Sequence, residues 1–144
     1  MRSFSFAAAA ISLLTAGAAM ADPLEDRQDL MKERGALMKI LAPIAQEKQP
    51  FDAATVLDAL EKLSTNAQAT TDVAALWPEG SDGDDNDSAP TVWSDREGFQ
   101  AASDKFAADA AAAAEAAPQD LAAFKAVFGT VAGNCGACHE NYRL

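Results

Sequence analysis

Residues 118–144 read PQDLAAFKAVFGTVAGNCGACHENYRL. Apolar and aromatic side chains and the two cysteines recur in this stretch at alternate steps of three and four residues, at Leu121, Phe124, Phe128, Val131, Cys135, Cys138 and Tyr142. A row with this spacing lies on one face of an α-helix and packs against neighbouring helices. The stretch therefore predicts a bundle helix that begins near Pro118, because proline suits the first turn of a helix.

Both cysteines of the chain and its only histidine fall within five consecutive residues, Cys135-Gly136-Ala137-Cys138-His139. C-x-x-C-H is the sequence pattern of covalent c-type haem attachment. Two thiols can add across the haem vinyl groups, and their spacing places both sulfurs on one side of a helical turn. The neighbouring imidazole is then the candidate axial ligand of the iron. We therefore predict one haem c, with thioethers at Cys135 and Cys138 and with His139 on the iron.

Three other chemistries use a C-x-x-C pair. A dithiol oxidoreductase requires a βαβ context, and this sequence shows almost no strand pattern. A structural zinc site takes four Cys or His ligands, whereas the whole chain offers three, all within residues 135–139. A local disulfide is the third alternative. The helical setting favours haem attachment over all three.

Three further helices are predicted upstream, over residues 24–46, 52–71 and 94–117. Asp52 is the expected N-cap of the second, and Ser94 with Glu97 forms an S-x-x-E capping box for the third. Pro43 falls within the first and should kink or end it. Residues 81–90 are polar and rich in turn formers, so they read as a solvated connector. The fold class is all-α, an antiparallel four-helix bundle whose core includes the haem.

The N-terminus resembles a secretory signal. Arg2 precedes a short apolar segment from Phe4 to Leu14, and Ala19-Met20-Ala21 has the small-x-small pattern of a cleavage site. We therefore expect a signal peptide over residues 1–21, a cytochrome domain over residues 22–144, and a periplasmic location in a bacterium. No membrane span should remain after cleavage, since this apolar segment is short.

The net charge narrows the range of partners. Residues 22–144 carry ten Lys and Arg against twenty-two Asp and Glu. A net charge near −12 argues against nucleic acid or an anionic membrane surface as a partner, because both repel a polyanion. The same charge keeps the protein soluble, and it could steer a basic redox partner protein.

Four segments together resemble one family, the cytochromes c′ with their low-spin, Met-ligated relatives. The segments are residues 27–35 (RQDLMKERG), 50–54 (PFDAA), 90–93 (PTVW) and 135–143 (CGACHENYR). The resemblance covers nearly all of residues 22–144, and a haem motif at the C-terminal end is itself specific. It implies an exported bacterial four-helix bundle with haem on the last helix, and it makes a homodimer an expectation.

The resemblance also assigns roles to single residues. Cys135 and Cys138 match the thioether positions, and His139 matches the axial iron ligand. Arg27 matches an arginine near the haem propionates, whereas Arg143 matches one in the haem pocket. Met31 matches the first-helix residue that faces the open side of the iron, and is thus the candidate sixth ligand.

Two functions remain open at this stage. If Met31 binds iron together with His139, the protein is a low-spin electron-transfer cytochrome, because Met/His ligation raises the reduction potential and closes the iron to other ligands. If Met31 only crowds the vacant face, the protein is a high-spin cytochrome c′ that binds small gases such as nitric oxide or carbon monoxide. We expect no enzymatic activity, since a peroxidase needs a polar acid/base group beside the iron and the chain has no second histidine.

Overall fold

The computed structural model describes residues 22–83 and 86–144, so the predicted signal peptide lies outside the described residues. Four long helices account for most of the described chain, and two short ones lie between the second and third of them. The elements are α1 (Pro23–Ala45), α2 (Ala53–Ala69), α3 (Val73–Leu76), α4 (Thr91–Ser94), α5 (Arg96–Glu115) and α6 (Leu121–Tyr142). No strand occurs within these residues, and the four-helix bundle predicted from the sequence is confirmed.

The long helices pack in a closed ring. Helix α1 contacts α2 and α6, while α5 contacts α2 and α6. Helices joined by short loops lie side by side, as expected for an antiparallel bundle. Aspartates begin them: the carboxylate of Asp52 accepts a hydrogen bond from the backbone N–H of Thr55 at 2.8 Å, which confirms the predicted N-cap of α2.

Two apolar clusters fill the interior at different levels. The larger joins α1, α2, α5 and α6 around fully buried Leu41, Leu60 and Phe124. The smaller collects Val73, Trp77, Val92 and Phe99 beneath the α2–α5 connection, with Cys138 and Tyr142 packed against it. The cysteine end of α6 therefore lies against the smaller cluster, while its first half belongs to the larger one.

The starts of α5 and α6 differ from the prediction. Ser94 is the last residue of α4, and Asp95 is the residue that caps α5, with its carboxylate accepting from the N–H of Gly98 at 3.2 Å. The capping box at Ser94 is therefore wrong by one residue. Helix α6 begins at Leu121 after its N-cap Asp120, and Pro118 precedes it.

Two local features explain further differences. Helix α1 continues through Pro43 to Ala45, because the proline falls in the last turn and so removes only one hydrogen bond near the helix end. Ala117 takes the left-handed conformation with φ 43°, which ends α5 before Pro118. The predicted connector, residues 81–90, lies between α3 and α4, and Trp77 and Val92 on either side of it are buried.

Helix α6 is long and apolar enough to cross a membrane by composition alone, with a mean hydropathy of 1.2 over an 18-residue window. Its apolar row is nevertheless used inside the bundle, where Phe124 and Val131 are fully buried. A core helix of a bundle passes the same composition test. We therefore assign α6 to the bundle core.

Candidate haem-binding site

The cysteines of α6 open onto a pocket between α1, α5 and the smaller apolar cluster. We call it the cysteine pocket. Its lining residues are Met31, Arg34, Thr70, Trp77, Phe99, Ala102, Ser103, Phe106, Asn134, Cys135, Cys138 and His139. Helices α1, α5 and α6 supply most of them, so the bundle itself fixes the geometry.

The two cysteines are free and half-buried on the pocket side of α6. Burial raises the pKa of each thiol, and the positive charge of Arg34 opposes that shift. Both thiols therefore stay protonated near neutral pH in the unmodified chain. Their separation of one helical turn presents both sulfurs to the same pocket, as thioether attachment to one ring requires.

His139 follows directly and also lines the pocket. Burial lowers the pKa of the imidazole, and the charges of Arg143 and Arg34 lower it further. The neutral imidazole is thus favoured, which is the form that binds a metal ion. The chain brings together the three residues of the C-x-x-C-H pattern at one face of one pocket.

Met31 reaches the same pocket from α1. Its side chain is 38% exposed and is one of the large hydrophobic side chains that the bundle leaves open. Met38, two turns further along α1, instead packs against the larger apolar cluster. The two methionines of α1 therefore have different surroundings: Met38 packs, partly buried, against the larger apolar cluster, whereas Met31 lines the cysteine pocket.

Arg34 lines the pocket one turn after Met31 and was missed in the sequence analysis. Its Nε donates to Oδ1 of Asn66 at 2.9 Å, and its Nη2 donates to the hydroxyl of Thr70 at 3.3 Å. Its guanidinium lies 4.3 Å from the ring centre of Phe106. The sequence does contain a signal, because position 34 completes the apolar row of Leu30, Leu37, Leu41 and Ile44, where a charged residue is unusual.

Arg27 is placed beside the pocket but does not line it. The residue is 5% exposed, and its guanidinium donates to the hydroxyl and carbonyl oxygens of Ser81 at 3.2 and 3.3 Å. It also lies over the ring of Trp77, which is a pocket residue, at 5.7 Å from the ring centre. Burial lowers the pKa of Arg27. Its assignment to the propionates stays a prediction.

Arg143 follows the last residue of α6 and is exposed, with its Nη2 3.9 Å from the carboxylate of Asp87. It acts on the site through its charge, which lowers the pKa of His139. Arg143 is not among the residues that line the pocket. The predicted role of Arg143 in the haem pocket therefore remains a prediction.

Residues 22–143 match the sequence model of the family described as Cytochrome C′. The chain is 37% identical over 139 residues to cytochrome c-556 of Agrobacterium fabrum, covering 96% of this chain and 92% of that one. It is 33% identical to cytochrome c′ of Rhodopseudomonas palustris, covering 94% and 92%. A solved structure of cytochrome c′ from Rhodopseudomonas palustris superposes with a TM-score of 0.77 at 31% identity, covering 86% and 97%.

Fold, pocket and motif together define a helical-bundle c-type cytochrome. The chain belongs to the cytochrome c′ family, which includes proteins named cytochrome c-556. Proteins of this family carry one covalently attached haem c with its iron. The predicted cofactor is thereby confirmed.

The residues of the cysteine pocket are chemically suited to holding haem c. Trp77, Phe99 and Phe106 supply flat apolar walls, and the two thiols and the imidazole supply the attachment and ligand atoms. Cys135 and Cys138 would hold the ring and His139 the iron. When bound, the haem supplies an iron that changes between the ferric and ferrous states.

Proposed function

We propose that this chain is an exported electron-transfer cytochrome in which Met31 is the second axial ligand of the iron. The observation that supports it is the contrast between the two methionines of α1. Met38 packs against the larger apolar cluster, as methionine often does, but Met31 lines the cysteine pocket together with the cysteines and histidine of α6. Met/His ligation in both oxidation states raises the potential and keeps the coordination unchanged during electron transfer.

The test is the ligation state of the ferric protein. We expect a low-spin optical spectrum for the unmodified protein and a high-spin spectrum for Met31→Ala, which should also become able to bind carbon monoxide. Met38→Ala is the matched control on the same helix. It should lose some stability because it truncates a side chain packed against the larger apolar cluster, yet stay low-spin. An unchanged spectrum in Met31→Ala would reject Met31 as a ligand.

A second candidate function is gas binding at a five-coordinate iron held by His139 alone. It is supported by the contact between Met31 and Arg34, whose Nη1 lies 3.8 Å from the methionine sulfur, because a sulfur engaged there is less available to iron. The similarity to proteins named cytochrome c′ also favours it. A high-spin ferric spectrum of the unmodified protein would select this function over electron transfer.

The surface charge supports a basic redox partner. Because residues 22–144 carry about twelve more acidic than basic side chains, long-range attraction should speed association with a cationic protein and weaken as salt screens it. We expect the rate of electron exchange with a basic acceptor to fall by about tenfold or more between about 10 mM and 150 mM salt. An acidic acceptor of similar potential is the control, and its rate should rise or stay constant.

A further inference from the structure

Arg34 is the charged side chain of the cysteine pocket that the proposed function leaves without a role. We infer that Arg34 is a fixed positive charge on the pocket wall that favours ferrous over ferric haem and so raises the reduction potential of the protein. This inference requires the attached haem, but it does not require Met31 to bind the iron. Its failure and the failure of the proposed function are therefore distinguishable.

The guanidinium is held rigidly on three sides. Asn66 at the end of α2 accepts from Nε, and Thr70 accepts from Nη2. The ring of Phe106 on α5 lies against the flat face at 4.3 Å. Asn66 is itself 2% exposed and donates to the carbonyl oxygen of Leu30 at 3.0 Å. The charge therefore occupies one defined position across α1, α2 and α5.

This charge is not cancelled by a direct ion pair. Among residues 22–83 and 86–144, no carboxylate lies within ion-pair distance of Arg34, and its hydrogen-bond partners are a neutral amide, a neutral hydroxyl and a thioether. The carboxylate of Glu33 is exposed and accepts instead from Nδ2 of Asn66 at 2.7 Å. A guanidinium stays protonated even when buried, so the pocket keeps one positive charge.

A positive charge at the pocket wall destabilises ferric haem more than ferrous haem. Ferric haem carries one more positive charge than ferrous haem, so Arg34 repels the ferric state more strongly. Burial strengthens the effect, because charges interact more strongly at an effective dielectric constant of about 20 than in water. A unit charge at about 10 Å under these conditions changes the ferric-to-ferrous ratio by about tenfold. Electrostatics around the group is a recognised determinant of haem potential.

Arg34 also contacts the candidate sixth ligand. Nη1 of Arg34 donates to the sulfur of Met31 at 3.8 Å. Whether that sulfur stays in contact with Arg34 or binds iron, the charge of Arg34 remains on the pocket wall, held by Asn66, Thr70 and Phe106. The direction of the shift is therefore the same whether or not Met31 is a ligand.

The experiment is an optical redox titration of the haem-loaded protein and its variants. Arg34→Gln removes the charge, Arg34→Lys keeps it, and Arg34→Met is a second neutral variant that fills the apolar space if glutamine destabilises the bundle. Lys39→Gln is the matched control, because Lys39 is an exposed cation on the same helix. Far-UV circular dichroism verifies that each variant is folded.

At a fixed solution potential we expect Arg34→Gln and Arg34→Met to raise the ferric-to-ferrous ratio by about tenfold. Arg34→Lys should raise it by less than about threefold, and Lys39→Gln by less than about twofold because solvent screens an exposed charge. The inference is overturned if both neutral variants titrate like Lys39→Gln, or if Arg34→Lys shifts as far as they do. A high-spin ferric spectrum in the unmodified protein would overturn the proposed function alone.

Discussion

Replacing Asn66 with alanine should destabilise the bundle more than the size of the side chain suggests. The amide group joins α2 to α1 through three hydrogen bonds: it donates to Leu30 and to Glu33, and it accepts from Arg34. The residue is 2% exposed, so water cannot replace the lost partners. Truncation leaves the partly buried Nε of Arg34 without its acceptor.

The magnitude follows from these contacts. An unsatisfied buried donor costs about 1–3 kcal/mol, and each further hydrogen bond that is lost contributes about 0.5–1.5 kcal/mol. Because Glu33 is exposed and regains water, its bond should contribute little. We therefore expect Asn66→Ala to lower the free energy of unfolding by about 2–4 kcal/mol.

Guanidinium chloride unfolding, followed by far-UV circular dichroism, measures this loss as a lower midpoint at constant slope. Thr65→Ala is the control on the same helix, since Thr65 is exposed and makes one hydrogen bond, to the carbonyl of Glu61. It should change stability by less than about 0.5 kcal/mol. A loss below about 1 kcal/mol for Asn66→Ala would refute the reasoning, because the buried amide would then be replaceable by water.

Two other predictions concern the contact between the start of α5 and the C-terminal end of α6, and the stability of the bundle in acid. A Cβ at Gly98 would overlap the carboxylate of Asp95, which caps α5, and would lie 2.7 Å from the hydroxyl oxygen of Tyr142. Gly98→Ala should therefore cost about 0.5–2 kcal/mol, because the capping carboxylate must move. Gly35→Ala, whose Cβ would meet no atom outside its own helix backbone within 4 Å, should be neutral or stabilising in the same unfolding assay, and equal effects would contradict this. The pKa of Asp109 is lowered chiefly by the hydrogen bond from Lys105, so its contribution is present above about pH 4 and is lost as the pH falls through the lowered value. The melting temperature of Asp109→Asn should therefore fall less between about pH 5 and pH 3 than that of the unmodified protein. An equal fall in both proteins would count against this contribution of Asp109.

Local sequence patterns were reliable where one helix supplies all the relevant atoms. The carboxylate of Asp52 caps α2 as predicted, because capping depends on residues three positions apart. The pattern at Ser94 was misleading, since Asp95 offers an equally good cap one residue later and α4 already includes Ser94. The choice between them depends on how residues 73–94 pack over the bundle, which no local pattern records.

The inward orientation of Arg34 could not be predicted from the sequence. Its place in the apolar row of α1 was visible in the sequence, but a charged residue there could equally have turned outward to solvent. The partners that hold it inward, Asn66, Thr70 and Phe106, come from α2 and α5. Only the packing of three helices brings them together.

The sequence by itself determined the helical fold, the family and the haem c cofactor, and it predicted the attachment residues, because the C-x-x-C-H pattern and the period of α6 lie within one continuous segment. The tertiary structure decided which of the two methionines of α1 lines the cysteine pocket and where the partly buried charge of Arg34 lies. Those outcomes depend on how helices that are distant in sequence are placed against one another. Side-chain periodicity fixes which face of a helix is buried, but not which neighbour that face meets.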